Sequence, residues 1–258
     1  MNILLTNDDG INAEGINALY EFLSDHYNVC VIAPEKEMSA CSNAFSIYSD
    51  LRLKRVDKNR YSVNGYPSDC VCLGIHSDLF FNPDIIVSGI NHGPNLGDDQ
   101  FFSGTVGGAR SGFIYGKTGI AVSMNSYHRV SDYFNQASEF IKIFIDDISN
   151  GLSKGQLLFN INYPDLPKEK IKGVKYTFSG KRRYQDTFKS KKISEDEFIM
   201  TLEGTVGGDR LDGSDYAELE KGFISITPLG IDCTDYSYLK KRIPGNISAS
   251  DKFFKLNN

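Results

Sequence analysis

The sequence predicts an α/β fold built on a mostly parallel sheet with helices on both faces, and three observations carry that expectation. Ile3–Thr6 is a continuous aliphatic run closed by Asn7-Asp8-Asp9-Gly10, residues that favour turns over strand continuation. Beyond Gly10, Ile16, Leu19, Tyr20, Phe22 and Leu23 recur at helical spacing, and a second β-branched run from Asn28 to Ala33 stops at Pro34. A strand, a helix and a strand inside about 33 residues make a βαβ unit, and such units build parallel sheets. Third, the pattern recurs, with Asp84–Ser88, Gly119–Ser123 and Leu157–Ile161 as further short aliphatic runs.

At 258 residues the chain is long enough for one large α/β domain, here taken as residues 1–258, and its 40% hydrophobic content suits an ordinary core. A net charge of −5 argues against a surface for duplex nucleic acid and leaves small anions dependent on a metal or on local donors. Met1-Asn2 leads straight into the first strand without a basic leader, and nothing approaches the roughly 20 apolar residues of a spanning helix. Five cysteines (Cys30, Cys41, Cys70, Cys72, Cys233) lack the spacing of a zinc or redox pair, so reduced, mostly buried thiols in a cytoplasmic protein are expected.

Taken in order, Ala44–Ser49, Leu51–Val56 and Arg60–Val63 alternate like antiparallel hairpins carried as an insertion, and Pro67 opens a helix through Leu79. Asp84–Ser88 is followed by Gly89–Gln100, a loop too long and polar to be a mere connection. Ser103–Arg110 then opens a helix from a turn of small and hydroxylated residues. After the strand at Gly119–Ser123, Phe134, Ala137, Phe140, Ile141, Phe144, Ile145 and Ile148 form a helical core stripe, and Leu157–Ile161 is one more strand. The charged stretch Lys168–Glu197 reads as a projecting hairpin or subunit-contact arm, the extension running to about residue 212. Asp215–Leu219 and Gly222–Ile226 return to compact structure, and residues from about 236 to 258 form a C-terminal segment.

Three loops that follow parallel-type strands carry short oxygen-bearing side chains: Asp8 and Asp9, then Ser39 with Ser42 and Asn43, then Asn91 and Asn95. In a parallel sheet those strand ends share one edge, so residues remote in sequence converge on one crevice. Two adjacent carboxylates in a small apolar site repel each other and call for a cation. Asp-Asp-Gly taken alone equally suits an Asx turn with Asp9 capping the next helix. Carboxylate, hydroxyl and amide oxygens suit Mg²⁺, Mn²⁺ or Ca²⁺ better than zinc. Beside them, the helix start at Ser103–Gly107 offers free N–H groups, hydroxyls and glycines, a cradle for an oxyanion that lacks the P-loop lysine. A metal beside an anion cradle points to phosphoryl chemistry. A nucleotide- or metal-sensing module and a nucleoside hydrolase use the same ingredients and stay open.

These residues resemble the SurE (survival protein E) family of metal-dependent 5′(3′)-nucleotidases. The matching pieces are Ile3–Ile16, Val31–Pro34 with Ser39 and Ser42-Asn43, Gly65–Val71, Val87–Gly97, Ser103–Gly107 and Ile226–Asp232, in family order. Met38-Ser39-Ala40 and Tyr66 depart from the usual pattern. The resemblance implies a Rossmann-like core with a β-hairpin extension, a homodimer or homotetramer built through that extension and an exchanged C-terminal segment, and a phosphomonoesterase for nucleoside monophosphates. It implies one divalent ion per subunit, Mg²⁺ or Mn²⁺, held by Asp8, Asp9, Ser39 and Asn91, with Asn95, Ser103, Gly104 and Thr105 around the phosphate. His92 is a candidate general acid, although a lone loop histidine is more often a packing residue.

Overall fold

A computed structural model describes residues 1–126, 130–151 and 155–242. In chain order the strands and helices are β1 (Asn2–Thr6), α1 (Glu14–Ser24), β2 (Asn28–Pro34), β3 (Leu53–Asp57), β4 (Arg60–Val63), α2 (Pro67–His76) and β5 (Ile85–His92). A 3-10 turn at Gly97–Phe101 leads to α3 (Gly104–Ile114), β6 (Thr118–Met124), α4 (Phe134–Gly151), β7 (Leu158–Tyr163) and β8 (Val174–Tyr176). The chain continues through β9 (Lys181–Lys192), β10 (Phe198–Asp209), α5 (Asp215–Glu220), β11 (Ile224–Pro228) and α6 (Tyr236–Arg242).

Nine strands form one sheet in the order β3-β4-β2-β1-β5-β6-β7-β11-β8. The run from β4 through β7 is parallel throughout, and only the β3–β4 and β7–β11 pairs are antiparallel. Alternation along the strands feeds two faces: Ile3 and Leu5 enter a core shared with α1 and α4, while Leu4, Cys30, Ile32 and Ile86 enter a second core shared with α2. Helices therefore cover both faces, as continuous aliphatic strands require. β1 is the position from which the sheet grows outward on either side, to β2 and to β5. Such a switch point opens a crevice at the carboxyl ends of the strands, where the loops after β1, β2 and β5 lie.

Close approach of α1 to β5 fixes one side of that crevice. A Cβ on Gly15 would stand 2.0 Å from the Ile90 carbonyl oxygen, so only glycine lets the helix lie this near the strand. Gly15→Ala is expected to lower stability by roughly 1–3 kcal/mol, the range for overpacking, even though alanine is the better helix former by about 1 kcal/mol. Denaturant titration checks this, and an unchanged midpoint would mean that α1 does not need this contact.

The structure corrects three expectations. Arg60–Val63 is no insertion, because β4 pairs in parallel with β2 and carries β3 at the edge of the main sheet. Val63, fully buried among Ile32, Cys70 and Val71, needs that core face, while residues 44–49 contain no strand. The projecting element is also narrower than residues 168–212: β9 and β10 pair with each other alone over Lys181–Asp209, and β8 joins the main sheet beside β11. The five thiols are free, but only Cys30 and Cys70 are buried, and Cys233 is exposed. Of the C-terminal segment, α6 is described and residues 243–258 lie outside the described residues. No described helix is long and apolar enough to cross a membrane.

Candidate active site

The loop after β1 folds on Asn7, whose side chain donates to the Gly10 carbonyl (2.9 Å) and accepts from the Gly10 N–H (3.2 Å). Gly10 takes φ +99°, a conformation glycine tolerates at little cost. The N-cap position of α1 is Ala13, which has no side-chain cap to offer, so Asp9 does not cap the helix. Asn7 makes the turn, and both aspartates are left to the crevice.

Asp8 is 4% exposed, and its Oδ1 accepts the Thr105 hydroxyl at 2.5 Å. Its backbone carbonyl accepts the Met38 N–H at 2.7 Å, which ties the first loop to the second. Burial, with the Asp9 charge adding to it, pushes the Asp8 carboxyl up to about 7, against the pull of the Thr105 hydrogen bond. Asp9 Oδ2 lies 3.2 Å from the donating His92 N–H and 3.1 Å from His92 Nδ1. The His92 ring rests edge-on against Phe134, which holds it in place. Residue 92 therefore orients one oxygen of Asp9 twice over.

On the second loop, Ser39 is exposed and its hydroxyl donates to Glu37 Oε1 at 2.8 Å. Ala40 and Ser42 follow with φ of 56° and 52°, both left-handed. Strained backbone of this kind gathers at binding loops. Asn91 directs its amide nitrogen to the Gly93 carbonyl (2.8 Å), which leaves Oδ1 as the atom for a ligand. Asn95 is held from three sides: its N–H donates to Asn162 Oδ1, its Nδ2 to Ser123 Oγ, and its carbonyl accepts from Asn160 and Asn162.

Ser103 caps α3 by accepting the Val106 N–H at 3.1 Å, with its own hydroxyl proton still to donate. Gly104 brings the helix start against Asp8, since a Cβ there would lie 2.8 Å from Asp8 Oδ2. Thr105 is fully buried, and the hydroxyl expected to meet a phosphate is given to Asp8 instead. Ser42 and Asn43 are outside the cavity wall: Ser42 donates to Phe101 O in the 3-10 turn, and Asn43 braces α3 through Gly107 O and Arg110.

A cavity of about 610 Å³ collects Asp8, Asp9, Ser39, Asn91, Asn95 and Ser103, and Gly104 and Thr105 are not on its wall. Among the described residues no three His, Cys, Asp or Glu side chains cluster as a metal site would. The donors that do converge are two carboxylates, a hydroxyl and an amide oxygen. With Asp8 driven toward its protonated form by desolvation and by Asp9, such a set fits a hard divalent cation, which relieves both effects.

The rest of the wall was not foreseen from the sequence. Arg182, Tyr184, Asp186 and Leu202 of the β9–β10 ribbon line the same cavity. Asp99 anchors the ribbon's foot, accepting from Arg182 Nη1 at 2.5 Å and from the Tyr184 hydroxyl at 2.7 Å. Asp215, whose carboxyl is raised by burial, accepts the Gly97 and Gly180 N–H groups at 2.8 and 2.7 Å and fixes the turn to the strand entrance. The sequence hinted at this only through Asp98-Asp99 in an over-long loop.

Sheet and crevice define an α/β protein that gathers carboxylate, amide and hydroxyl oxygens at the switch point of a parallel sheet. Its family is shown by comparison: residues 3–186 match the family model of the survival protein SurE, and the chain belongs to that family. A protein of Leptospira interrogans serovar copenhageni named 5′-nucleotidase SurE is 42% identical over 240 residues, covering 93% of this chain and 95% of its own. A protein of Geotalea daltonii with the same name is 42% identical over 239 residues, 92% of this chain and 96% of its own. The crystal structure of the SurE protein from Aquifex aeolicus superposes with a TM-score of 0.83 at 33% identity, covering 95% of this chain and all of that one.

Proposed function

We propose that this protein is a 5′-nucleotidase, a metal-dependent phosphomonoesterase that hydrolyses nucleoside 5′- and 3′-monophosphates, and short polyphosphate as well, to phosphate. The observation that carries the proposal is the adjacent pair of buried Asp8 and half-buried Asp9, which shares one cavity with Asn95 and with Ser103, the residue that caps α3. The names of the relatives support the same activity.

A divalent ion, Mg²⁺ or Mn²⁺, held by Asp8, Asp9, Ser39 and Asn91, would supply Lewis-acid stabilisation of charge on the phosphoryl oxygens. The chain's own groups do the rest. Thr105 and His92 hold one oxygen each of Asp8 and Asp9, so the other oxygen of each pair is presented in a fixed direction. The Val106 N–H of α3 is taken by Ser103 Oγ, and the Ser103 hydroxyl hydrogen and the second hydrogen of Asn95 Nδ2, both on the cavity wall, can donate to phosphoryl oxygens. A water molecule is the nucleophile preferred here over the Asp8 carboxylate, because Asp8 is committed to Thr105 and to the cation. The enzyme acts as one α/β domain in a cytoplasmic homodimer or homotetramer assembled through the ribbon and the C-terminal segment, with neither membrane nor duplex nucleic acid as partner.

Phosphate release from a panel of 5′- and 3′-monophosphates, with and without chelator, tests the proposal. Turnover should disappear on chelation and return with Mg²⁺ or Mn²⁺. Free base among the products would mean glycosidic cleavage, and unchanged nucleotide would mean a sensing module.

A further inference from the structure

We infer that the foot of the β9–β10 ribbon is the base-recognition wall of this cavity and that Asp186 reads the N–H edge of the base, which favours guanine nucleotides. The inference rests on the phosphomonoesterase proposal and adds the choice of nucleotide.

Side chains alternate along a strand, so Arg182, Tyr184 and Asp186 share one face of β9. The register puts Val206 opposite Tyr184, Gly204 opposite Asp186 and Leu202 opposite Phe188, so Leu202 is the diagonal neighbour of Asp186 on that face. This face, not the lysine-rich one carrying Lys181, Arg183 and Lys189, lines the cavity. Its inner end is locked in place, since Arg182 Nη1 donates to Asp99 and to the Pro94 carbonyl at 3.4 Å, next to Asn95. From Arg182 to Asp186 the strand advances about 13 Å at roughly 3.3 Å per residue. The wall thus begins beside the proposed phosphate end and runs outward by the reach of an extended nucleotide.

Along that track the chemistry changes from polar to base-like. Tyr184 and Leu202 offer an aromatic ring and an aliphatic side chain, the surfaces on which bases pack. Asp186 follows with a carboxylate that, among the described residues, has neither counter-ion nor hydrogen-bond donor. Gly204 leaves the opposite position bare; a Cβ there would stand 3.2 Å from Asp186 Oδ1, against the carboxylate. An ionised carboxylate only accepts, and it accepts best from two parallel N–H groups. Guanine presents N1–H and the N2 amine side by side, whereas adenine, cytosine and uracil each present one such donor group. Ribose 5-phosphate presents none.

Steady-state kinetics of the full-length, metal-loaded protein on GMP, AMP, UMP and ribose 5-phosphate test this. Wild type should turn over GMP with the highest kcat/KM of the four. Asp186→Asn should lower kcat/KM for GMP by roughly ten- to a hundredfold, as expected for a lost bidentate base contact, and leave ribose 5-phosphate unchanged. Leu202→Ala should weaken all three nucleotides and spare ribose 5-phosphate. A loss of equal size on ribose 5-phosphate, or unaltered GMP turnover in Asp186→Asn, would overturn the assignment while phosphomonoesterase activity stood. Failure of wild type on all four substrates would instead overturn the activity on which it rests.

Discussion

Asp8→Asn is expected to stabilise the metal-free protein at pH 8 while removing its phosphatase activity. Burial and Asp9 raise the Asp8 carboxyl from 3.8 to about 7, so between those values the folded state holds a proton that the unfolded chain has released. Stability must then fall as pH rises through that window, by about 4 kcal/mol in all at about 1.4 kcal/mol per pH unit. Below pH 4 both states are protonated and the effect is absent; above pH 7 it is complete. Asparagine removes the charge but keeps an oxygen for the Thr105 hydroxyl, so the variant escapes the loss. Denaturation in chelator at pH 5 and pH 8 checks this. Wild type should lose stability between the two and the variant should not, and added Mn²⁺ should restore wild type alone. Equal losses in both proteins would show that Asp8 is not the group responsible.

That result would expose a conflict the chain tolerates for function. A buried carboxylate set beside a second, half-buried one weakens the empty fold and would be relieved by a bound cation, so stability and activity are opposed at one residue. The surrounding donors fit this account. Thr105 and residue 92 each hold one carboxylate oxygen, and Asn91 and Asn95 are fixed by hydrogen bonds to backbone and to neighbouring side chains.

The loops of this crevice were legible because each follows a strand that announces itself by continuous aliphatic residues, and parallel strands bring their carboxyl ends to one edge. Periodicity of this kind says where a loop sits but not which way a side chain on it turns. Thr105 illustrates the difference. At the start of a helix its hydroxyl has two plausible partners, a ligand anion or the loop beneath, and only packing of α3 against the β1 loop, made possible by Gly104, decides for Asp8. The ribbon wall was illegible for another reason. Arg182 and Asp99 are 83 residues apart, and a charged stretch whose apolar residues alternate reads as solvated in the absence of its register. The β4 strand was misassigned because alternation alone fits a free hairpin and a sheet edge equally, until the burial of Val63 chooses between them.

Thr105→Val is expected to lower divalent-metal affinity by roughly ten- to a hundredfold, the usual effect of removing a hydrogen-bond partner behind a ligand. Had the hydroxyl faced the phosphate, as its place in the sequence suggests, the metal would have been indifferent to it and turnover alone would have dropped. In the folded protein the side chain is fully buried and donates to Asp8 Oδ1, and valine of nearly the same shape leaves that oxygen buried without its donor. The Asp8 charge then becomes harder to sustain and its orientation is released, both of which act on the cation first. Activity should therefore recover in part at high Mn²⁺, as it should for Asn91→Ala, whose lost oxygen is a proposed ligand. Calorimetric metal titration of the two variants, set beside kcat/KM at saturating metal, separates the cases. Wild-type metal affinity in Thr105→Val, with a hundredfold or greater loss of kcat/KM that no amount of metal repairs, would return Thr105 to the phosphate and show that Asp8 keeps its orientation without it.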